Sequence, residues 1–429
     1  MGGDERAIEP AGAVDATVAL PGSKSITNRA LICAALSTRP SVIRNALDAD
    51  DTRAMVEALR TMGVAVDHDD GVLQISAGGP TPTVVSVDAR QSGTTSRFLL
   101  PVLALDGIRR RLTGDAQLQS RPMAAAFDAL VHLGARIDEE GVPGYLPVVV
   151  QGPLRGGAVE LPGDVSSQFL SGLLLASPAM NDGLVVSLST QLVSRPYVDM
   201  TVAVMRAFGA EVTTDGGASW HVAARSYAGG DFTVEPDAST ASYVFAAAVL
   251  TGGVVTVPGL HRGALQGDVG FVELLARMGA RVRWDDDAVT VAAGDRLQGI
   301  DVDMSAMSDT VPTLAVVAAC AEGVTTIRNV GFIRHKESDR IGATVAELRR
   351  CGVDAEETDD GLVVRPGPIK PAVVQTYDDH RMAMAFAVLG LTTAGLRIAD
   401  PDCVAKTFPG YWDLLDRLRT GADPAARGV

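Results

Sequence analysis

Polar and apolar positions alternate along this chain in a pattern that recurs six times. Each time, a short polar segment is followed at once by a long apolar run such as RALICAALS, FLSGLLLAS or MAMAFAVLG. The six polar segments are Lys24-Ser25, Ser92-Gly93-Thr94-Thr95, Ser166-Ser167-Gln168, Asp237-Ala238-Ser239-Thr240, Ser308-Asp309-Thr310 and Asp379-His380-Arg381. Each segment predicts the start of an apolar helix, because its residue types cap helix N-termini. Free N–H groups and the positive end of the dipole make such starts favourable for anions.

A second pattern interleaves with the first and predicts six repeated units. An amphipathic helical segment ends in Gly and continues into a strand, as in ALRTMGVAV and ELRRCGVDA. The glycines are Gly63, Gly134, Gly209, Gly279 and Gly352, with Gly421 as a sixth. We expect each of them to cap its helix in the left-handed conformation. Each unit then contains two helices and several strands, which indicates an α/β fold.

Two Pro/Gly breaks divide these units into two groups of three. The breaks are Pro21-Gly22 and Glu235-Pro236-Asp237. We therefore expect one lobe over residues 22–237 and a second over 238–429 together with 1–21. The first short strand, ATVALP, would belong to the second lobe.

Composition narrows the function classes. The 429 residues are 47% hydrophobic and carry a net charge of -15, so a general nucleic-acid or anionic-membrane surface is not expected. No apolar run has the length that spans a bilayer, and the polar N-terminus does not read as a secretory signal, so a cytoplasmic location is expected. Six His residues without helical i, i+4 partners make a metal site an unfavoured interpretation.

Basic residues inside the motifs stand out against this acidic background. Lys24 follows Ser23 rather than Gly, so the first motif is not a nucleotide-triphosphate loop, although Lys and Ser at a helix start bind phosphate well. Glu337 lies beside Lys336 in the dense charge run IRHKESDR and is a candidate acid/base. Arg381 at a helix start suits a carboxylate or phosphate. Taken singly, each motif is also compatible with an ordinary helix cap or a solvated charge run.

Together the motifs closely resemble one family. PGSKSITNRA, SGTTSRF, the SRP around Arg121, DVSSQFLSGLL, LVSRPY, the MSDT around Asp309, IRHKESDR, DDHRMAM and AKTFP occur in the order found in 5-enolpyruvylshikimate-3-phosphate synthases. The resemblance covers nearly the whole chain. It implies a two-lobed inside-out α/β barrel built from six repeated βαβαββ-type units. It also implies transfer of enolpyruvyl from phosphoenolpyruvate to the 5-hydroxyl of shikimate 3-phosphate, with release of phosphate and without a metal or organic cofactor.

The resemblance also implies a set of site residues. Those expected to bind shikimate 3-phosphate are Lys24, Ser25, Arg29, Ser166, Ser167, Gln168, Ser194, Tyr197, Asp309 and Lys336. Those expected to bind phosphoenolpyruvate are Lys24, Gly93, Arg121, Gln168, Arg340, Arg381 and Lys406. The implied catalytic residues are Asp309, which accepts the hydroxyl proton, Glu337, which serves the methylene carbon, and Lys24. The implied partners are these two small molecules, with the protein acting as a monomer and binding neither nucleic acid nor membrane.

Three positions depart from the family pattern. Gln91 stands where the family usually has Asn, Phe332 where it usually has Asn or another polar residue, and Phe98 where some members have Pro. These changes bear on substrate affinity and on the response to glyphosate, which inhibits many members at the phosphoenolpyruvate site. Two alternatives stay open: a paralogue with an altered ring acceptor, and the sister transferase that acts on UDP-N-acetylglucosamine. The latter family is expected to show Lys-Asn in the first motif and a Cys in the loop before Arg121, and this chain has neither.

Overall fold

The chain forms two compact units. A computed structural model describes residues 4–76 and 85–421. One unit comprises Gly22–Glu235, and the other comprises Pro236 onward together with the segment that ends at Pro21. The chain therefore passes from one unit to the other two residues before the expected position. In the ranges described, no helix is both long and apolar enough to cross a membrane.

Helices and strands alternate along both units. The helices are α1 Lys24–Ala35, α2 Asp50–Thr61, α3 Gly93–Leu103, α4 Ala116–Gln119, α5 Ala124–His132, α6 Ser167–Ala176, α7 Arg195–Ala207, α8 Ala238–Thr251, α9 Phe271–Arg277, α10 Val311–Ala319, α11 Arg340–Arg350, α12 His380–Gly390 and α13 Tyr411–Thr420. The strands are β1 Glu5–Ile8, β2 Asp15–Thr17, β3 Ser41–Arg44, β4 Val66–Asp69, β5 Val72–Ile75, β6 Ser86–Asp88, β7 Arg110–Thr113, β8 Arg136–Glu139, β9 Val148–Gln151, β10 Gly157–Leu161, β11 Leu184–Leu188, β12 Val212–Thr214, β13 Ser219–Val222, β14 Asp231–Thr233, β15 Val254–Pro258, β16 Arg281–Asp285, β17 Ala288–Ala292, β18 Asp301–Asp303, β19 Thr325–Arg328, β20 Asp354–Glu357, β21 Leu362–Arg365, β22 Val373–Val374 and β23 Leu396–Ala399. Short 3₁₀ turns are Ser177–Ala179, Gly267–Gly270, Ser308–Thr310, Gly331–His335 and Pro401–Lys406.

The predicted βαβαββ unit is clearest between β6 and β9. Strand β6 pairs parallel to β7, with Ser86 opposite Arg111, and β9 pairs antiparallel to both β7 and β8. The sheet order is therefore β6-β7-β9-β8, and the same order recurs in β10-β11-β13-β12 and in β18-β19-β21-β20. A parallel pair requires a crossover, which the apolar helix α3 provides here. The predicted fold class is confirmed.

The remaining repeats are completed by strands from distant parts of the chain. Strand β14 pairs parallel to β3, and β2 pairs parallel to β15. In the sixth repeat, β22 pairs parallel to β23, while β1 joins β23 antiparallel. This last sheet has three strands within the described part of the chain. The sequence pattern assigned the first strand to the second lobe, but it could not show the strand partners.

Both sequence patterns correspond to real helix ends. The six predicted apolar helices are α1, α3, α6, α8, α10 and α12, although the fifth begins with the 3₁₀ turn Ser308–Thr310 before α10. Every residue of α3, α10 and α12 is buried. The six capping glycines all adopt positive φ, between 66° and 107°, so this prediction is confirmed. Gly172 matters for packing instead, because a Cβ there would lie 2.4 Å from the Arg97 carbonyl oxygen, so Gly lets α6 approach α3 closely.

Candidate active site

Three helix starts meet at one buried ion pair in the unit Gly22–Glu235. Lys24, the first residue of α1, places its Nζ 3.1 Å from Asp51 Oδ2, at the start of α2. Thr95 in α3 donates a hydrogen bond from Oγ1 to the Asp51 carbonyl oxygen at 3.3 Å. The predicted ligand Lys24 is therefore held beside the start of α3 by a carboxylate that the sequence pattern did not single out.

Arg29 connects α1 with the start of α7. Its Nε donates to Thr201 Oγ1 at 2.7 Å, its Nη1 to the Ser25 carbonyl at 2.7 Å, and its Nη2 to the Tyr197 carbonyl at 3.0 Å. The Phe98 ring lies 5.0 Å from the guanidinium carbon, a cation–π contact. Burial lowers the pKa of Arg29 to about 10, so the side chain stays charged at neutral pH. In this structure Arg29 orders the backbone around two predicted ligands, Ser25 and Tyr197.

The start of α3 is bounded by two arginines. A Cβ added to Gly93 would lie 2.9 Å from Arg121 Nη1 and 3.1 Å from Arg97 Nη1. Arg97 Nη1 in turn donates to Gln168 Oε1 at 2.6 Å, and Gln168 Nε2 donates to Thr94 Oγ1 at 3.3 Å. The structure thus brings the predicted residues Gly93, Arg121 and Gln168 into one group. Arg97, which was not predicted, connects them.

The predicted serines also lie at helix starts. Ser166 caps α6, where its Oγ accepts a hydrogen bond from the Gln168 N–H at 3.3 Å, and Ser167 is buried beside it. Ser194 precedes α7 in the left-handed conformation, with φ 52°. Its buried Oγ has no hydrogen-bond partner within residues 4–76 and 85–421. A buried hydroxyl without a partner costs free energy, so this atom is well suited to accept a ligand contact.

In the other unit, Arg340 organises three carboxylates. Its Nη1 donates to Asp309 Oδ1 at 3.0 Å, its Nη2 to Glu337 Oε2 at 2.7 Å, and its Nε to Asp379 Oδ2 at 2.8 Å. A further hydrogen bond joins Nη2 to Asp379 Oδ1 at 3.2 Å. Burial opposes the charge of Arg340, but the three carboxylates outweigh it and raise the pKa of this guanidinium. The predicted base and the predicted acid are therefore held on one cation.

Arg381 adds a second cation to the same cluster. Its Nη2 donates to Asp309 Oδ2 at 2.6 Å, and its Nη1 lies 3.4 Å from the Tyr243 hydroxyl. Its backbone N–H donates to Asp379 Oδ1 at 3.0 Å, which makes Asp379 the cap of α12. Burial raises the pKa of Tyr243 to about 12, so this phenol stays neutral. Asp309 consequently receives one guanidinium on each carboxylate oxygen.

Three other predicted or unusual positions are located as follows. Lys336 is half-buried directly after the 3₁₀ turn Gly331–His335, and Lys406 is buried at the end of the turn Pro401–Lys406. Phe332 is partly buried and packs against the hydrophobic core of its unit. This contact gives Phe332 a packing role in the core whatever ring substrate the protein binds.

Asp268 is a buried acid near the cluster that the sequence pattern did not reveal. It lies in the turn Gly267–Gly270 and accepts a hydrogen bond from Ser239 Oγ in α8. Burial and the charge of Asp309 raise its pKa to about 6, against the opposing charge of Arg381. The only sequence signal was an Asp in a Gly-flanked segment, which a turn explains equally well.

The described residues contain no group of three or more His, Cys, Asp or Glu side chains that could hold a metal ion. What they do contain is helix starts that gather buried cations, carboxylates and hydroxyls, on a fold of repeated α/β units. Helix starts of this kind favour anions such as phosphates and carboxylates.

The comparisons with known proteins identify the family. The family model described as EPSP synthase (3-phosphoshikimate 1-carboxyvinyltransferase) matches residues 8–415. The chain is 40% identical over 423 residues to the 3-phosphoshikimate 1-carboxyvinyltransferase of Serratia proteamaculans, covering 97% of this chain and 99% of that protein. It is 42% identical over 412 residues to the protein of that name from Methanoculleus marisnigri, covering 95% and 98%. This chain belongs to the EPSP synthase family, a family of transferases.

Solved structures agree with this assignment. The EPSP synthase of Acinetobacter baumannii superposes with a TM-score of 0.81 at 28% sequence identity, covering 97% of this chain and 98% of that one. The enolpyruvyl transferase NikO of Streptomyces tendae superposes with a TM-score of 0.78 at 22% identity, which shows a shared fold.

Proposed function

We propose that this chain transfers the enolpyruvyl group of phosphoenolpyruvate to the 5-hydroxyl of shikimate 3-phosphate and releases inorganic phosphate. The arrangement around Arg340 supports this most directly, because one guanidinium holds both Asp309 and Glu337. The reaction needs a base and an acid within reach of each other. The names of the curated relatives agree with this reaction.

The proposed chemistry has three steps. Glu337, in its protonated form, delivers a proton to the methylene carbon of phosphoenolpyruvate, which leaves positive charge on the adjacent carbon. Asp309 accepts the proton of the 5-hydroxyl while the hydroxyl oxygen bonds to the positively charged carbon. The product of this step is a tetrahedral ketal phosphate. The C–O bond to phosphate then breaks while Glu337 takes a proton back from the methyl group, which restores the double bond, and the proton held by Asp309 leaves with the phosphate. A carboxylate oxygen can accept two hydrogen bonds, so its contacts with Arg340 and Arg381 are compatible with Asp309 acting as base.

Binding of shikimate 3-phosphate is assigned mainly to the unit Gly22–Glu235. The proposed contacts there are Lys24, Ser25, Arg29, Ser166, Ser167, Gln168, Ser194 and Tyr197. The Ser194 hydroxyl lacks a protein partner in the described chain, which supports its assignment to a ligand oxygen. Lys336 in the other unit is proposed to support the same substrate.

Phosphoenolpyruvate is assigned to two sets of cations. Arg121, with Gly93 and Gln168, belongs to one unit, and Arg340, Arg381 and Lys406 belong to the other; Lys24 is proposed to touch both substrates. Charge-assisted hydrogen bonds of roughly 1.5–3 kcal/mol each are the expected source of affinity. Arg340 already makes four hydrogen bonds to carboxylates, so we propose that it mainly orients Asp309 and Glu337 and offers the substrate few of its five N–H groups. We further propose that the protein works as a cytoplasmic monomer without a metal or organic cofactor.

The test is phosphate release from purified protein with both substrates, with UDP-N-acetylglucosamine as the control acceptor. Asp309→Asn keeps the shape of the side chain and removes its basicity, so kcat should fall by roughly two to four decades, the usual scale of general-base catalysis. The matched control is Asp301→Asn, since Asp301 forms an exposed ion pair with Arg328 in the same unit. A kcat for Asp309→Asn within threefold of the parent would remove Asp309 from the role. Phosphate release with phosphoenolpyruvate and UDP-N-acetylglucosamine, but not with phosphoenolpyruvate and shikimate 3-phosphate, would favour the sister transferase.

A further inference from the structure

A strained turn immediately precedes the Asp379-His380-Arg381 segment. The Asp379 N–H donates to the Thr376 carbonyl at 2.9 Å, and the two residues between them, Tyr377 and Asp378, have φ values of 56° and 54°. This is the pattern of a type I′ turn, which usually carries Asn-Gly or Gly-Gly because both central residues need positive φ. Tyr at the first central position is disfavoured, so the surroundings must hold the turn in place.

A buried glutamate holds this turn. Glu347 in α11 has a fully buried side chain, and its Oε1 accepts a hydrogen bond from the Tyr377 hydroxyl at 2.8 Å. Its Oε2 accepts the Gln375 N–H at 2.9 Å and Arg350 Nε at 2.9 Å. The charge of Glu347 is thus satisfied by one backbone donor, one phenol and one guanidinium, as a buried carboxylate requires.

Helices α11 and α12 connect the turn with the carboxylates bound to Arg340. Helix α11 begins with Arg340 and carries Glu347 about two turns later, while Asp379 ends the strained turn and caps α12. Asp379 accepts hydrogen bonds from both Arg340 and the Arg381 backbone. The position of the turn therefore decides where Asp379 meets Arg340.

We propose that Glu347 is a positioning residue that, through Tyr377 and the Gln375 N–H, holds the type I′ turn and so sets Asp379 against Arg340. A related contact exists in another repeat. Arg90, two residues before the cap of α3, also has positive φ and forms an ion pair with Glu57 in α2. Both side chains of that pair are about half exposed, whereas the Glu347 side chain is fully buried, although its partner Tyr377 is 43% exposed. The link from Glu347 to turnover rests on the proposed function, but the link from Glu347 to the turn does not.

Two substitutions at one position separate turn strain from ring packing. Tyr377→Ala removes the hydroxyl contact and keeps the conformational strain, so we expect kcat/KM for phosphoenolpyruvate to fall roughly tenfold through misplacement of Asp379. Tyr377→Gly also removes the contact but accepts positive φ without strain, so it should stay within about threefold of the parent. Equal losses in both variants would show that the ring itself matters, and parent-like values in both would show that the turn needs no support. Either result overturns the proposal.

Hydrogen exchange supplies a readout that does not depend on the reaction. Glu347→Gln should speed exchange of the backbone N–H groups of Gln375, Asp379 and Arg381 by about tenfold or more, because a neutral amide cannot serve the same three donors. Unchanged exchange in that segment would overturn the proposal, even if the parent showed no phosphate release. Where Glu347→Gln does not fold, the same measurement on Tyr377→Phe decides the question.

Two controls complete the design. Glu322→Gln alters an exposed ion pair with Arg296 in the same unit and should leave both readouts unchanged. Asp70→Ala and Asp70→Gly repeat the strain comparison at a left-handed, exposed hairpin residue between β4 and β5. We expect those two variants to differ in melting temperature and to share the parent's kcat. A loss of kcat in the Asp70 pair would show that general destabilisation explains the Tyr377 result.

Discussion

Gly93→Ala tests whether the start of α3 sets the phosphoenolpyruvate site. The added methyl carbon would lie 2.9 Å from Arg121 Nη1 and 3.1 Å from Arg97 Nη1, whereas ordinary contacts begin at 3.4 Å. Both neighbours are ends of flexible side chains, so they can move by the missing few tenths of an ångström. The backbone does not resist the change, since Gly93 is not among the residues with positive φ.

The expected effect follows from what those guanidiniums do. Arg97 Nη1 holds Gln168 Oε1 at 2.6 Å, and the Arg97 guanidinium lies 5.4 Å from the Phe169 ring, so it can retreat only by disturbing Gln168. A misplacement of about 1 Å can cost a hundredfold in rate, so a shift of about half that size should lower kcat/KM for phosphoenolpyruvate about tenfold. Gly93 is the first residue of α3, where the interior preference for Ala over Gly applies only weakly, so we expect stability to be nearly unchanged.

The assay is phosphate release at saturating shikimate 3-phosphate with varied phosphoenolpyruvate, alongside a melting curve. Glyphosate is longer than phosphoenolpyruvate, so we expect its inhibition to be competitive with phosphoenolpyruvate in the parent and its inhibition constant to rise further than KM in the variant. The matched control is Gly107→Ala, because a Cβ there meets no atom within 4 Å.

A kcat/KM for Gly93→Ala within twofold of the parent would refute the reasoning, because Arg97 and Arg121 would then have moved without consequence. A parent already as insensitive to glyphosate as the variant would show that the pocket differs from the family pattern at this point.

Two further predictions concern buried groups. Burial first, and then the charge of Asp309, raises the pKa of Asp268 to about 6. Between about pH 4 and 6 the folded state therefore binds more protons than the unfolded state. The free energy of unfolding then falls as pH rises through this range, by up to about 3 kcal/mol. In urea unfolding at pH 4.5 and 7, Asp268→Asn should reduce the difference in free energy of unfolding between the two pH values. A difference equal to that of the parent would show that Asp268 is not its source. Phe98→Leu removes the ring 5.0 Å from the Arg29 guanidinium, which should destabilise the fold by about 1–2 kcal/mol and raise KM for shikimate 3-phosphate several-fold. A loss of stability with unchanged KM would assign Phe98 to the core alone.

Local patterns were sufficient to predict the elements of the fold. The six apolar helices and the six capping glycines each depend on a few neighbouring residues, and the structure confirms both. Closure of the sheets was not predictable, because β14 and β1 pair with strands far away in the chain. Their sequences carry no mark of their partners.

The candidate residues could be selected from motifs, but their contacts could not. Asp51 and Arg97 both escaped selection, since an Asp at a helix start is an ordinary cap, and an Arg within an apolar helix has no local signature of the glutamine that it contacts. Tyr377 was missed for a different reason. A Tyr-Asp pair predicts no type I′ turn, and only the distant Glu347 makes that turn stable here.

The charge arrangement explains why sequence alone does not separate binding cations from structural ones. An isolated buried charge is very costly, so each cation must have a partner before any substrate arrives. Lys24 contacts Asp51, Arg340 contacts three carboxylates, and Arg381 contacts Asp309. The same contacts that stabilise these cations in the fold also orient the proposed acid and base. A substitution that removes one cation therefore releases a carboxylate as well, and its effect on stability and its effect on turnover must be measured separately before either is assigned to substrate binding.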